Sequence, residues 1–110
     1  MTSFEKKYLE LAKRITLEII PPEEYAVFLF GSRAEGIASK KADIDIGIWG
    51  MKPFPSAKKS ELEYKLMESH IPYHVDVIDF SGVSTNFKSE ALKHIILWNQ
   101  PKDFSLSSMN

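Results

Sequence analysis

The stretch from Gly31 to Asp45, GSRAEGIASKKADID, constrains this chain more than any other part of it. Two apolar runs bracket it. Residues 25–30 (YAVFLF) read as a buried strand ahead of it, and the alternation Ile44, Ile46, Ile48 reads as a second strand behind it. Residues two apart on a strand share a face, so Asp43 and Asp45 project together while the isoleucines point the other way, into a core. Two carboxylates are thereby made neighbours. With α-carbons about 6.5 Å apart, two unit charges repel by roughly 2.5 kcal/mol at an effective dielectric near 20. A cation between them reverses the sign of that interaction.

Hard divalent ions such as Mg²⁺ are held by one or two carboxylates together with substrate phosphates rather than by a complete protein cage. The turn at Gly31 and Ser32 supplies the matching half of such a site. Glycine lets backbone approach a phosphate closely, serine adds a hydroxyl and an N–H, and a helix beginning after the turn aims further N–H groups at an anion. Arg33 is the candidate for a bidentate contact to phosphate oxygens, with a salt bridge to Glu35 or simple exposure as the alternatives. Lys40 and Lys41 either draw in an anionic substrate or are simply solvated.

The chain has 110 residues, which predicts one domain over residues 1–100 and a loose tail over 101–110. A net charge of −1 argues against a protein whose task is to grip a nucleic-acid backbone. The absence of cysteine excludes disulfides, thiolate metal sites and a Cys nucleophile. At the start, MTSFEKKYLELAKR interleaves charge with apolar residues, unlike a signal peptide or membrane span, so a cytoplasmic location is the default expectation.

Thr2 and Glu5 have the form of a capping box, and Phe4, Tyr8, Leu11, Ile15 and Ile19 recur at helical spacing up to Pro21, predicting a helix over 4–20. A short helix is expected over 33–38, weakened by Gly36, followed by a strand over 43–49. Trp49 shares the aspartate face by alternation and is expected to pack there. A loop over 50–56 leads to a helix over 57–69 with Leu62, Leu66 and part of Tyr64 or Met67 inward. The third strand, 73–80 (YHVDVIDF), carries Asp76 and Asp79 on opposite faces, so only one of them can join Asp43 and Asp45. Asp79, before a Ser-Gly turn, suits a local backbone bond, while His74 shares the face of Asp76. A last helix, capped by Ser84 or Thr85, is predicted to run through Phe87, Ala91, Ile95 and Trp98, with an apolar surface wide enough to bury deeply or to meet another chain.

The order of apolar strand, Gly-Ser, ten residues and Asp-x-Asp on a second apolar strand resembles the nucleotidyltransferase domain of the DNA polymerase β superfamily, and GSRAEG is similar to the GSRARG of its minimal stand-alone members. The resemblance covers about residues 20–98. It implies an α/β (α+β) core with a small mixed sheet, helices on one face and carboxylates on the other. It also makes Asp76, in its VDV context, the third carboxylate beside Asp43 and Asp45. By the same resemblance these three are the catalytic and metal-holding residues for two Mg²⁺ ions, Gly31 and Ser32 hold the β and γ phosphates with Arg33 alongside, and ATP or another nucleoside triphosphate is the substrate. Minimal members act beside a helical HEPN protein as antitoxin and toxin, which implies AMP transfer to a hydroxyl of that partner. A non-catalytic antitoxin that masks the partner by contact is the alternative, and an independent small-molecule or RNA transferase is disfavoured by size and charge. Two departures from the family pattern stand out: Glu35 where relatives often carry Arg, and Ala42 in place of a frequent serine.

Overall fold

The computed structural model describes residues 2–103. The last seven positions of the expected tail lie outside that range, whereas Pro101 is buried against the body. The elements follow in the order α1 (Ser3–Ile19), β1 (Tyr25–Phe30), α2 (Ser32–Glu35), β2 (Ile44–Gly50), α3 (Ser56–Glu68), β3 (Val75–Asp79), a 3-10 turn (Phe80–Gly82), α4 (Thr85–Ala91) and β4 (Ile96–Asn99).

The capping box forms as the sequence requires. The Thr2 hydroxyl accepts from the Glu5 N–H at 3.1 Å, and a Glu5 carboxylate oxygen accepts from the Thr2 N–H at 3.3 Å, so two of the orphan donors at the start of α1 are satisfied. The inner face of α1 then buries Leu9, Ala12 and Thr16. The Thr16 hydroxyl donates to the Ala12 carbonyl at 2.7 Å, which is how a polar side chain is tolerated there.

The sheet has the order β3-β2-β1-β4. β1 runs antiparallel to both β2 and β4, while β2 and β3 are parallel and joined through α3, as a parallel pair must be joined by a crossover. One face packs Val27, Leu29, Ile44, Ile46, Ile48 and Val77 against Leu9 and Ala12 of α1 and Leu62 and Leu66 of α3. Leu62 is fully enclosed in this layer. We expect Leu62→Ala to cost about 3 kcal/mol in chemical denaturation, the usual penalty for a leucine-sized cavity in a close-packed core. Tyr64 and Met67, one of which was expected to face inward, are both exposed.

Two expectations are corrected. The final helix does not reach Trp98. It ends after Ala91, and the chain returns as β4 along the free edge of β1, with Phe28 opposite Leu97 and Leu29 opposite Ile96. Ile95, Ile96 and Trp98 are β-branched or aromatic, and an unpaired strand edge offers this stretch a ladder that an isolated helix turn does not. Asn99 fixes the end of the added strand by donating to the carbonyls of Pro22 at 2.9 Å and Tyr25 at 2.8 Å.

The second correction concerns the face opposite α1 and α3, which is not left to the carboxylates alone. Ala26, Phe28, Phe30, Trp49 and Phe80 form a second apolar cluster there, covered by Ala91, Leu92, Val83 and Ile95. Its rings meet edge to face, Phe28 with Phe80 at 4.9 Å and Phe30 with Phe80 at 5.2 Å. Gly47 is required in this layer because a Cβ there would enter the Phe28 ring. The carboxylates are thus confined to one end of that face.

Candidate active site

At that end the registers align three strands. Phe30 pairs with Asp45 across β1 and β2, and Asp45 pairs with Asp76 across β2 and β3. The two aspartates are therefore adjacent on one face, half-buried, at the edge of the aromatic cluster. Asp43 lies one residue before β2 and is exposed. Asp76, the third carboxylate that the family resemblance implies, is the one the sheet places beside Asp45. Asp79 faces the other way and is used structurally: it accepts from the Phe54 N–H at 2.8 Å, from the Ser81 N–H at 3.0 Å and from the Ser81 hydroxyl at 2.8 Å.

Above Asp45 the chain leaves β1 through Gly31, whose φ of +76° and ψ of −161° fall in a region open essentially to glycine alone. A Cβ on Gly31 would land on a carboxylate oxygen of Asp45. The Gly-Ser turn and the second aspartate of the motif are thus in direct apposition. The turn is closed by the Gly31 carbonyl, which accepts from Ala34 and Glu35 N–H groups at 3.1 Å each. Helix α2 is only four residues long and stops at Gly36, φ +78°, where a residue in the left-handed region is needed. It is shorter than the 33–38 expected.

The electrostatics of the cluster follow from this geometry. Burial first, then the charges of Asp76 and Asp43, push the Asp45 carboxyl up to about 6, against a weaker opposing pull from His74 and Arg33. Among the described residues no three His, Cys, Asp or Glu side chains converge closely enough to form a closed cation cage. The donor set is nevertheless of the kind Mg²⁺ accepts: two neighbouring carboxylates, a third nearby, mutual repulsion that a cation relieves, and open space for phosphate oxygens and water. Asp45 and Asp76, with Asp43 from the adjoining loop, are the residues that could hold such an ion.

The structure corrects the expected place of Arg33. Its side chain is turned into the protein, with the residue only 3% exposed. The Ala42 carbonyl accepts from Nε at 3.1 Å and from Nη2 at 2.6 Å, a Glu5 carboxylate oxygen accepts from Nη1 at 3.1 Å, and the guanidinium lies 4.1 Å from the centre of the Tyr73 ring. The guanidinium is committed to groups inside the protein, and its acidic partner is not the expected Glu35 but Glu5, 28 positions earlier. Sequence reading placed Glu5 at a helix start and Tyr73 at the head of a strand, but nothing in their spacing marks them as neighbours of the motif.

A cavity of about 710 Å³ opens beside Asp43, lined in part by Phe4, Tyr73, His74, Lys40 and Lys41. Its aromatic wall continues into Tyr8, whose ring meets those of Phe4 at 4.9 Å and Tyr73 at 6.2 Å. On the other side of the Gly-Ser turn a smaller cleft is lined by Gly31, Phe30, Glu35, Phe87, Glu90, Ala91 and His94. The larger cavity sets Lys40 and Lys41 against Glu5 and Asp43, whereas the smaller cleft carries Glu35 and Glu90 with His94. Trp49 does not reach either cavity; it packs in the aromatic cluster, with the Lys88 ammonium 4.7 Å from its ring centre.

Known proteins resemble this chain in sequence and in fold. The family described as polymerase beta, nucleotidyltransferase, matches residues 22–103. A protein of Haemophilus influenzae named probable protein adenylyltransferase MntA is 31% identical over 108 residues, covering 94% of this chain and 92% of that protein. Among solved structures, a toxin-antitoxin crystal structure with AMP-PNP superposes with a TM-score of 0.64 at 21% identity, over 83% of this chain and 75% of that one. The complex of tri-AMPylated HEPN toxin with MNT antitoxin from Shewanella oneidensis gives a TM-score of 0.59 at 21% identity, over 86% and 73% of the two chains. At that identity the two structures bear on the fold. With a family match over most of its length, a relative above 30% identity and the strand order the motif demands, this chain belongs to the polymerase beta nucleotidyltransferase family.

Proposed function

We propose that this chain is a protein adenylyltransferase that moves AMP from ATP to a hydroxyl group of a helical HEPN-type partner, and that it acts as the antitoxin of such a pair. The observation that carries the reading is the apposition of the Gly31 turn with Asp45 and Asp76 in a chain whose curated relative is named a probable protein adenylyltransferase. The solved complexes of similar fold, one with AMP-PNP and one with an AMPylated HEPN toxin, support the nucleotide and the acceptor class.

In this reading Gly31 and Ser32 receive the β and γ phosphates, the glycine because backbone without a side chain can approach them. Asp43, Asp45 and Asp76 would hold two Mg²⁺ ions, which when bound neutralise negative charge on the phosphates. The acceptor oxygen attacks the α-phosphorus, an oxygen–phosphorus bond forms, the bond to the bridging oxygen of the β-phosphate breaks, and pyrophosphate leaves with its electron pair. Asp76 accepts or orients the proton released by the acceptor hydroxyl. Apart from that proton, the protein contributes positioning and charge. Among the described residues no helix is long and apolar enough to cross a membrane.

The test is to incubate the purified chain with Mg²⁺, ATP and the product of the neighbouring reading frame, then to measure the intact mass of both proteins. A gain of AMP units on the partner, absent with Asp43→Ala/Asp45→Ala, supports the transferase. An unmodified partner held in a stable complex that survives the double substitution favours an antitoxin acting by contact alone.

A further inference from the structure

The most heavily bonded side chain near the candidate active site belongs to Arg33, which faces the interior rather than the cleft. Four separate segments meet at its guanidinium: its own helix directly after Ser32, the Ala42 carbonyl directly before Asp43, Glu5 in the first turn of α1, and the Tyr73 ring two residues before β3. Glu5 is itself held, one oxygen by Thr2 and the other by Arg33, so the clamp rests on a fixed helix end. Thr2 and then Arg33 keep the Glu5 carboxyl below its usual range, in the charged form the pair needs. Ala42 offers only its backbone carbonyl, and a single carbonyl accepting two guanidinium N–H groups is the tie between the Gly-Ser turn and the first aspartate of the motif.

Arg33 adjoins the phosphate-facing turn and Ala42 adjoins Asp43, so the length of this tie sets the distance between the two halves of the motif. Lysine cannot reproduce it, because one ammonium lacks the planar fork that spans Ala42 and Glu5 while stacking on Tyr73. We propose that Arg33 is a positioning residue, fixing the loop that carries Asp43 against the Gly31-Ser32 turn through Ala42, Glu5 and Tyr73, without touching nucleotide. The proposal rests on the adenylyltransferase reading for its kinetic consequence but not for its structural one.

Two measurements separate these. Hydrogen exchange of residues 40–45 in Arg33→Met should be faster than in wild type by about tenfold or more, whether or not the protein transfers AMP. With ATP and the HEPN-type partner, kcat should fall by about 100-fold, the scale of a displacement near 1 Å, while affinity for AMP-PNP with Mg²⁺ changes less than about threefold. Arg33→Lys should recover only a small part of the loss. If Arg33→Met fails to fold, Glu5→Gln carries the test, with faster exchange at 40–45 and a lower kcat at unchanged AMP-PNP affinity. Loss of AMP-PNP affinity with kcat preserved would mean that Arg33 binds phosphate directly, and unchanged exchange at 40–45 would mean that the tie holds nothing; either overturns the proposal. A wild-type chain that transfers no AMP removes the adenylyltransferase reading alone, since exchange still decides the role of Arg33.

Discussion

Replacing Asp45 with asparagine is expected to lower AMP transfer by about 10³-fold while making the protein more stable at pH 7.5. The loss of activity follows from position: Asp45 is the middle of the carboxylate row, paired with Asp76 across the sheet and pressed against Gly31. Removing one preorganised charge from a site of this kind typically costs two to three orders of magnitude, and here the same residue would also serve the cation. The gain in stability follows from the same position. Burial and two neighbouring carboxylates raise its carboxyl from an ordinary 3.8 to about 6, so above pH 6 the folded chain carries a charge it holds less comfortably than the unfolded chain does.

The direction with pH is then fixed. Between about pH 4 and 6 the folded state binds more protons at this group than the unfolded state, so stability falls as pH rises through that interval and the penalty is fully present above it. Allowing for solvent screening of a half-exposed group, the effect is about 1 kcal/mol. Thermal melts of wild type with divalent ions chelated should show a higher midpoint at pH 5 than at pH 7.5 from this contribution, and Asp45→Asn should remove it. Mg²⁺ with ATP should narrow the gap between wild type and variant at pH 7.5, because only the wild type retains the full acidic set. A variant less stable than wild type at pH 7.5 would show that Asp45 is a structural residue instead. Stability given up at the place where charge is needed is the expected pattern for a site of this sort.

Much of this was legible in the sequence, and the parts that were not share a cause. The motif is a matter of spacing along two strands: strand period put Asp43 and Asp45 on one side and allowed only one of Asp76 and Asp79 to join them, and the family resemblance, not the period, chose Asp76. The sheet agrees, with Asp76 beside Asp45 and Asp79 bonded to Phe54 and Ser81. The capping box at Thr2 and the core positions Leu62 and Leu66 were equally local, and they too are where the pattern puts them. What escaped depends on which distant segments come together. Phe87, Ala91 and Ile95 fit a helical stripe through Trp98, yet the open edge of β1 captured residues 96–99 as a strand. That edge exists only once the sheet has formed.

Arg33 escaped for the same reason. Its position after Ser32 suggests a phosphate ligand, but its partners sit 28 residues before it, nine after it and 40 after it in the chain. No periodicity links those positions. The second apolar layer over Phe28, Phe30 and Trp49 was likewise hidden, since the phenylalanine that fills it, Phe80, was expected as the last residue of the third strand and instead opens a 3-10 turn that folds it over that face.

Gly31→Ala is expected to be the most damaging single change outside the carboxylates. Two independent costs fall on one atom. The backbone at φ +76°, ψ −161° belongs to the region that side chains exclude, worth about 1–3 kcal/mol for any L-residue forced into it. The added methyl would also occupy the place of the Asp45 carboxylate oxygen, so relief must come from moving either the turn or the aspartate. Moving the turn would withdraw Ser32 from the phosphates it is proposed to hold; moving Asp45 breaks its row with Asp76. Restoring ordinary contact takes a shift of about 1 Å, which suffices for about a 100-fold loss, so transfer should fall by about that factor while the melt remains cooperative, because the core layer of Val27, Leu29 and Ile46 is untouched. Gly36→Ala is the control: its φ is also positive, at +78°, but no atom lies within 4 Å of its would-be Cβ. Its backbone lies in the left-handed α region, which costs an L-residue only about 1–2 kcal/mol, so it should lose less stability than Gly31→Ala in a denaturation curve and keep most of the activity. Equal loss of transfer in both variants would assign the effect to backbone strain alone and remove the contact with Asp45 as the reason glycine is required at position 31.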